Sequence, residues 1–401
     1  MERTDRDVVV VSACRTAIGK FGGQFKDIRA HRLAGFAMEE AIMRAGLAKD
    51  QLDEVVAGDG IQCNDEANTA RVAALGIGIP PEVPAFTVQR QCGSAMQALI
   101  CAKQEIQAGD AEVVLAVGVE SQSSAPYVLK TARWGQRLMH GEMAGTLWDT
   151  LLSGSGLVGE KMLMGETAER VAERYQISRE AQDEVALRSH RNAEAAIATG
   201  KFKEEIVPVP IRGRKGDTTL VDQDEHPRFG LTMDDLAKLP PAFREGGTVT
   251  AGNSSGLNDG AAAVVVMTRA RARDLGCRPL AAIRATSIAG VPPEVMGIGP
   301  IPATQKILAC TGLSLRDIGL IEMNEAFASQ YVACEEELGL DRERTNVNGS
   351  GIGLGHPAGA TGIRLVVTLV HEMRRRGVQF GLATLCVGGG MGLATLLELE
   401  G

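Results

Sequence analysis

The sequence predicts an α/β protein in which a mostly parallel β-sheet carries helices on its faces and is divided between two related halves. Three observations support this prediction. Short apolar runs alternate with stretches of helical spacing over residues 1–122, and the same order of elements recurs in the last third of the chain. Between them, residues 123–249 are more polar and rich in turn-forming residues.

The first part of the chain shows the clearest alternation. Its apolar runs, each short enough to be a buried strand, are Asp7–Ser12, Glu54–Ala57, Ala85–Val88 and Glu112–Val119. Ala30–Ala45 has apolar residues at helical spacing and stops before Gly46. A second helix is predicted from Cys92 to Gln107, before Gly109.

The last part of the chain repeats this order. The matching pairs of segments are Gly46–Val56 with Gly312–Glu322, the surroundings of Cys92 with Thr345–Arg376, and Val113–Gly118 with Ala383–Gly388. We therefore predict a first half at 1–122 plus 250–275, a loop domain at 123–249 and a second half at 276–401. The uncharged stretch Gly377–Leu397 is predicted to form two buried strands around a glycine turn, because a membrane span needs a continuous apolar helix.

The loop domain has its own predicted elements. Ser178–Gly200 is typical of one helix with a serine cap at its start and a glycine at its end. Arg212–Asp217 and Asp222–Gly230 are predicted to be exposed turns. An insertion of this size is expected to cover a site or to contact another subunit.

Composition and charge exclude several function classes. The chain has 401 residues and a net charge of -8, and such an acidic protein is a poor partner for the phosphates of nucleic acids. Met1–Asp7 is charged and the apolar run after it is short, so no signal sequence is expected and we predict a cytoplasmic protein. The eight cysteines form no CxxC pair, and no metal site is expected.

Cys92 stands where a predicted buried strand turns into a helix. Apolar residues follow it at helical spacing, which predicts that free N–H groups and the positive end of the helix dipole lie beside the sulfur. Both favour a thiolate, which can attack a thioester or ketone carbon. A buried structural cysteine fits the same position.

A glycine-rich loop, Asn348–Gly362, contains His356 just before another predicted helix, which Pro357 begins and Gly377 ends. The glycines cost chain entropy that a loop built for stability alone would avoid, so the loop is predicted to approach a ligand closely. A structural histidine whose hydrogen bonds are all satisfied is the alternative.

Two further segments contain chemically useful residues. Cys386 ends an apolar strand before the glycine turn Gly388–Gly390, where a buried cysteine at a hairpin is the alternative. Asn324 follows the predicted strand Leu320–Met323. Its side chain is suited to orienting a water or donating to an oxyanion, and equally to capping the next helix.

Four segments together resemble the thiolase superfamily, namely those that contain Cys92, Asn324, His356 and Cys386. Met164–Glu169 and Val249–Ala261 match in the same order, so the resemblance covers essentially the whole chain. It implies the thiolase fold, in which two related βαβ-type halves stack as a layered α-β-α-β-α core with an inserted loop domain.

The resemblance implies a ping-pong acyl transfer between CoA thioesters. Cys92, activated by His356, would attack the 3-keto carbon of a 3-ketoacyl-CoA, and Cys386 would protonate the departing acetyl-CoA carbanion. His356, with a water held by Asn324, would bind the enolate oxygen. The backbone N–H groups of Cys92 and Gly388 would bind the tetrahedral oxyanion. No metal or organic cofactor is implied, because CoA is itself a substrate, and a homodimer or homotetramer is expected, with a further protein partner left open.

The same resemblance suggests where the substrate lies. The pantetheine would lie along Ser255 and the nucleotide near Arg228, for which a solvated surface charge is the alternative. The covering loop reads Leu163-Met164-Gly165 where the acetoacetyl-specific members have His-Met-Gly. We therefore expect a longer, branched or aromatic 3-ketoacyl chain and a degradative role, as in β-oxidation of fatty acids.

Two departures from the family pattern remain. Ala95 stands where the family usually has glycine, and its methyl group is expected to narrow the acyl site. The segment Pro126–Leu157 differs from the family pattern, and its role is left open between lining the pocket, contacting another subunit and binding a second protein.

Two other functions remain open at this stage. A ketoacyl synthase also uses a cysteine on this fold, but it usually lacks the second cysteine that Cys386 supplies here. A thiolase-like lipid carrier or complex subunit without catalysis is the other alternative, although such proteins tend to lose a catalytic residue.

Overall fold

The computed structural model describes residues 2–138, 140–152, 161–213 and 216–401. The strands are β1 Val8–Thr16, β2 Gly19–Lys20, β3 Glu54–Asp59, β4 Ala85–Val88, β5 Val113–Ser121, β6 Tyr127–Val128, β7 Ala144–Gly145, β8 Ile206–Val207, β9 Val209–Arg212, β10 Thr218–Val221, β11 Asn258–Thr268, β12 Ala281–Gly290, β13 Leu320–Met323, β14 Phe380–Val387 and β15 Met391–Leu399. The helices are α1 Ala30–Ala45, α2 Thr69–Gly76, α3 Ser94–Ala108, α4 Thr146–Leu152, α5 Met164–Arg174, α6 Arg179–Ala198, α7 Met233–Ala237, α8 Arg269–Asp274, α9 Pro300–Thr311, α10 Ala328–Leu338, α11 Gly351–Leu354 and α12 Ala358–Arg376.

The main sheet is mixed, with the strand order β13-β14-β15-β12-β1-β11-β5-β3-β4. Strand β3 pairs in parallel with β4 and β5, and β13 with β14. Strands β11 and β15 are antiparallel to their neighbours. The prediction of a mostly parallel sheet is therefore wrong. Buried strands have no periodic pattern that reveals direction, and the tight turn between β14 and β15 forces an antiparallel pair.

Among the described residues, most of the core lies in three large apolar clusters, and the helices and strands around them form five layers. Helices α1 and α2 pack on the outer face of the first-half strands, and α9 and α10 on the outer face of the second-half strands. Helices α3 and α12 lie between the two sets of strands and contact both. This is the layered arrangement that the family resemblance implies.

Helix ends follow the glycines of the sequence. Helix α1 spans the predicted residues and ends at Gly46, whose φ of 72° is left-handed, and α12 ends likewise at Gly377. Left-handed backbone costs other residues a Cβ clash, so glycine is the usual helix terminator. Helix α6 begins after the predicted cap, with the Ala181 N–H donating to the Ser178 hydroxyl.

Strand β1 extends past the predicted Ser12 to Thr16 because its polar end is buried and paired. The Arg15 guanidinium lies 2.7 Å from a carboxylate oxygen of Asp224 and 3.2 Å from one of Glu205, all fully or almost fully buried. A buried charge is tolerated when it is paired in this way. These ion pairs attach the loop domain to the first half.

The repeat in the sequence has a structural counterpart. In each half a helix that ends at a left-handed glycine, Gly46 or Gly312, leads through a short 3-10 turn into a strand of the sheet. Strand β11, which follows the insertion, pairs with β1 and β5 of the first half. The boundaries of the three units remain a prediction.

The uncharged stretch Gly377–Leu397 forms most of β14 and β15, as predicted, with the turn Gly388–Gly390 between them. Within the residues that the structure describes, no helix combines the length and apolar character that a membrane crossing requires. Of the segment Pro126–Leu157, residues 139 and 153–157 lie outside the described part of the chain.

Candidate active site

Three distant parts of the chain meet at one cavity of about 350 Å³. Cys92, His356 and Cys386 all line it, so the two sulfur atoms and the imidazole face a common space. Most of the other lining residues are apolar and come from α4, the start of α5 and the loops before α9, α10 and β11. They include Leu147, Trp148, Leu151, Leu163, Met164, Phe243, Ser255, Met296 and Phe327.

A strained turn presents Cys92 to this cavity. Strand β4 ends at Val88 and α3 begins at Ser94, and the residue before the cysteine, Gln91, has a φ of 47°. A non-glycine residue in this region is strained by about 1–3 kcal/mol and persists only where its surroundings hold it. Here the Ser94 hydroxyl donates to the Gln91 carbonyl (2.7 Å) and accepts from the Arg90 N–H (2.9 Å).

The environment of Cys92 favours the neutral thiol. Burial raises its pKa to about 11, a nearby carboxyl of Glu120 acts in the same direction, and the N–H groups of Gly388 and of Cys92 itself act against both. The N–H groups beside the sulfur act in the expected direction and favour the thiolate, but burial outweighs them. The loss of water around the charge outweighs two hydrogen bonds.

His356 is held in place from both its backbone and its ring. Its N–H donates to the Asn258 side-chain oxygen (2.9 Å), and its Nδ1 lies 2.7 Å from the Thr361 hydroxyl oxygen, one turn into α12. Burial, together with the charge of the buried Arg364 guanidinium, lowers the pKa of the ring to about 3. The imidazole is thus neutral and able to accept a proton.

Asn324 packs against the His356 ring. Its Nδ2 lies 3.5 Å from Nδ1 and 3.4 Å from Nε2. Its Oδ1 is buried and has no hydrogen-bond partner among the residues that the structure describes. Asn324 does not cap the next helix, because α10 begins at Ala328 after Phe327.

Cys386 lies near the end of β14 and is almost fully buried. Burial raises the pKa of its thiol well above the usual range, and the sulfur of Cys92 raises it further, which places the two groups within electrostatic reach. The turn that follows contains Gly388, whose N–H points at the Cys92 sulfur. One hairpin therefore supplies both a thiol proton and a backbone N–H donor to the cavity.

The predicted substrate contacts divide into two groups. Leu163, Met164 and Ser255 line the cavity. Arg228 does not line it: this residue is exposed, and its backbone N–H donates to Nδ1 of His190 (3.2 Å).

Ala95 does not face the acyl site, contrary to expectation. Its side chain is fully buried in the core cluster around α3 and α12, and a Cβ at Gly118 of β5 would come within 2.3 Å of the Ala95 methyl group. Position 95 therefore sets how closely α3 packs on the sheet.

Sequence reasoning missed several residues of the site. Glu120 is fully buried, lines the cavity and accepts from the N–H groups of Ile61 and Gly359. Trp148 lies in the segment Pro126–Leu157, for which lining the pocket was one of three open alternatives, and it forms part of the cavity wall. Thr361 lies near the end of the glycine-rich loop and contacts Nδ1 of His356. Only its position five residues after His356, across a helix start, could have indicated this contact.

Metal chemistry finds no support in the described ranges, where no group of three or more His, Cys, Asp or Glu side chains is arranged to hold an ion. The absence of a resident cofactor remains an expectation.

Comparison with known proteins adds independent information. The family model of the thiolase N-terminal domain matches residues 8–270, and that of the thiolase C-terminal domain matches residues 277–399. Acetyl-CoA acetyltransferase of Syntrophomonas wolfei is 49% identical over 397 residues, which are 98% of this chain and 99% of the relative.

Two solved structures are similar over nearly their whole length. The acetyl-CoA acetyltransferase of Bacillus anthracis has a TM-score of 0.95 and 52% identity, with 98% of this chain and 99% of the other covered. Human mitochondrial 3-ketoacyl-CoA thiolase has a TM-score of 0.94 and 41% identity, with 99% and 100% covered.

Proposed function

Because the chain belongs to the thiolase family of acyltransferases, we propose that it cleaves 3-ketoacyl-CoA thioesters with free CoA and carries the acyl group on Cys92. One observation supports this proposal above the others: Cys92, His356 and Cys386 line the same cavity. The reverse condensation of two acyl-CoA molecules uses the same residues in the opposite order.

The first half-reaction transfers the acyl group to the enzyme. As the Cys92 sulfur attacks the 3-keto carbon, its proton passes to the neutral imidazole of His356. The bond between C2 and C3 then breaks, and the electron pair stays on C2 of the departing acetyl-CoA. The Cys386 thiol, whose proton is held tightly enough to be neutral, gives that proton to C2.

The second half-reaction returns the enzyme to its starting state. The thiol of incoming CoA gives its proton to the Cys386 thiolate and attacks the acyl carbon on Cys92. The Cys92 sulfur leaves and recovers its proton from His356. The products are acetyl-CoA and an acyl-CoA that is two carbons shorter.

Two sets of donors are proposed to stabilise the oxyanions. The N–H groups of Cys92 and Gly388 already point at the sulfur and would bind the tetrahedral oxygen formed beside it. Asn324 is proposed to hold a water through Oδ1, which is suited to accept a hydrogen bond, and that water with His356 would bind the enolate oxygen. Loss of one such donor typically costs about 3 kcal/mol in the transition state.

The apolar cavity supports a degradative role with a substrate longer than acetoacetyl-CoA. Leu163 supplies an apolar wall where the acetoacetyl-specific members carry histidine, and Trp148, Phe243 and Phe327 enlarge this apolar surface. Ser255 is proposed to contact the pantetheine, and Arg228, exposed and outside the cavity wall, to bind the phosphates of the nucleotide.

A second candidate, acetyl transfer between two acetyl-CoA molecules, is favoured by the names of the relatives. The Syntrophomonas and Bacillus proteins are both acetyl-CoA acetyltransferases, at 49% and 52% identity. The two candidates share their chemistry and differ in the acyl chain and the physiological direction.

Assembly and location are also proposed rather than observed. A cluster of exposed large apolar side chains on residues 127–148, including Trp134 and Leu138, supports contact with another subunit of a homodimer or homotetramer. A cytoplasmic location is proposed from the sequence alone.

Acetyl-CoA release from a panel of 3-ketoacyl-CoA substrates of increasing length tests the proposal. We expect release that requires free CoA, with higher kcat/KM for longer chains than for acetoacetyl-CoA. Cys92→Ala should abolish release, whereas Cys310→Ala, at an exposed cysteine outside the cavity wall, is the matched control.

Mass spectrometry separates the two half-reactions. Cys386→Ala should still accept an acyl group on Cys92 from an acyl-CoA, but should not cleave a 3-ketoacyl-CoA. Release of acetyl-CoA without added CoA, or no acylation of Cys92 in the wild-type protein, would contradict the proposed mechanism. Highest kcat/KM with acetoacetyl-CoA would favour the second candidate.

A further inference from the structure

We propose that Thr361 is a positioning residue that fixes one tautomer of His356, with the proton on Nδ1 and the lone pair of Nε2 available to the cavity. This inference rests on the proposed function, because it assigns the nitrogen that takes the proton of Cys92. The position of the ring proton in the resting protein can be measured without turnover.

The proposal follows from counting protons at three groups. The Thr361 hydroxyl oxygen lies 2.7 Å from Nδ1 of His356 and 2.9 Å from the carbonyl oxygen of Pro357. The carbonyl oxygen can only accept, so a hydrogen bond between Thr361 and Pro357 uses the single hydroxyl proton. The hydroxyl oxygen can then accept from Nδ1, which must carry the proton.

The other tautomer makes fewer hydrogen bonds. If Nδ1 carried the lone pair, the Thr361 hydroxyl would donate to it and would leave its contact with Pro357 without a proton. Two hydrogen bonds would become one at the fully buried Thr361 side chain. The Pro357 carbonyl oxygen would keep its backbone donors, the N–H groups of Ala360 and Thr361, but one buried hydrogen bond would be lost. The tautomer with Nδ1–H is therefore favoured.

No other neighbour in the described part of the chain selects between the two ring nitrogens. Nδ2 of Asn324 is nearly equidistant from them, at 3.5 Å and 3.4 Å, and contacts the ring without distinguishing its edges. The hydrogen bond from the His356 N–H to Asn258 fixes the backbone and leaves the ring proton undetermined. Thr361 is therefore the residue that decides the tautomer.

This assignment orders the steps of the proposed reaction. Nε2 begins as an acceptor, takes the proton of Cys92, and only then carries a hydrogen that it can donate to the enolate oxygen. One nitrogen thus serves first as base and then as oxyanion donor. The proton stays on Nε2 until the Cys92 sulfur leaves in the second half-reaction, so this donor is present for the whole lifetime of the acyl-enzyme.

Nitrogen-15 NMR of protein labelled at histidine tests the proposal in the resting enzyme. The chain has six histidines, and a His356→Gln variant identifies the signal by its loss. We expect a protonated Nδ1 and an unprotonated Nε2 at pH 7. A protonated Nε2 in the wild-type protein would overturn the proposal whatever the variants do.

Two substitutions at position 361 and one matched control extend the test. Thr361→Val removes the acceptor while keeping the shape, and it should move the proton to Nε2 and lower kcat by on the order of 10- to 100-fold with little change in KM. Thr361→Ser keeps the hydroxyl and should behave as wild type. Thr368→Val, two turns along α12, removes a fully buried hydroxyl that has no partner among the described residues, and should leave both readouts unchanged.

The outcomes separate this proposal from the proposed function. If Thr361→Val keeps the proton on Nδ1, or if Thr361→Ser is as impaired as Thr361→Val, the assignment to Thr361 is wrong. If the wild-type protein does not cleave 3-ketoacyl-CoA, the proposed function fails, while the NMR signals still decide the tautomer.

Discussion

Raising the pH in the presence of iodoacetamide should label Cys92 steadily faster up to about pH 10, without a plateau near neutrality. Iodoacetamide reacts with thiolates, and burial raises the pKa of Cys92 to about 11. At pH 8 the pKa lies about three units above the pH, so about one Cys92 in a thousand is ionised, and the thiol form is favoured by about 4 kcal/mol.

The assay is peptide mass spectrometry of each cysteine after timed labelling between pH 6 and pH 10. A Cys386→Ala background leaves Cys92 as the only cysteine in the cavity wall, and the exposed Cys310 provides an internal reference in the same sample. We expect the logarithm of the Cys92 rate to rise by about one for each pH unit.

A plateau in the Cys92 rate below pH 8 would refute the reasoning. It would mean that Cys92 and His356 form a thiolate–imidazolium pair, and that the N–H groups beside the sulfur outweigh its burial. The conclusion that His356 is neutral, with a pKa lowered to about 3, would then also be wrong. Turnover at pH 8 does not distinguish these states, because the imidazole takes the proton in the step in which the sulfur attacks.

Three further predictions concern packing, substrate choice and pH. Ala95→Gly should lower the free energy of unfolding by about 1 kcal/mol in urea titrations and leave the chain-length profile unchanged, because its methyl group lies in the core. Trp148→Ala should raise kcat/KM for the longest substrates relative to the shortest by on the order of 10-fold, because it removes part of the cavity wall. Glu372→Gln should lower the stability at pH 7 by on the order of 2 kcal/mol, since Arg375, Arg376 and Asn348 lower the pKa of this carboxyl from 4.5 to about 2 against the effect of burial. That loss should be constant above pH 4.5 and shrink as the pH falls towards 2, as urea titrations at several pH values would show.

Each of these has a contradicting result. If Ala95→Gly changed how kcat/KM depends on acyl-chain length, the methyl group of Ala95 would contact the acyl site after all. If Trp148→Ala left the ratio of kcat/KM for long and short substrates unchanged, α4 would have no part in selecting the substrate. A stability difference for Glu372→Gln that persists at pH 2 would show that the carboxyl contributes through packing rather than through its charge.

The chemistry of the site was more predictable from the sequence than its geometry. Cys92, His356 and Cys386 stand next to glycine-rich turns at strand and helix ends, and such local patterns survive without knowledge of the fold. Helix ends were predictable for the same reason, since a left-handed glycine such as Gly377 terminates a helix in any context.

Features that depend on contacts between distant segments were not predictable. The direction of β11 and β15 depends on which strands they join, and buried strands of either direction have the same apolar composition. The side of α3 that Ala95 faces depends on where the sheet lies. The charge on Cys92 depends on how much water the folded chain removes, which outweighs the local helix start.

The placement of α3 and α12 between the two sets of strands has a consequence for folding. Each of these helices completes the apolar interior on both sides, so neither half alone could cover the inner face of its own strands. A chain cut in the connection between α8 and β12 should therefore yield two pieces that are insoluble apart and that recover structure when mixed.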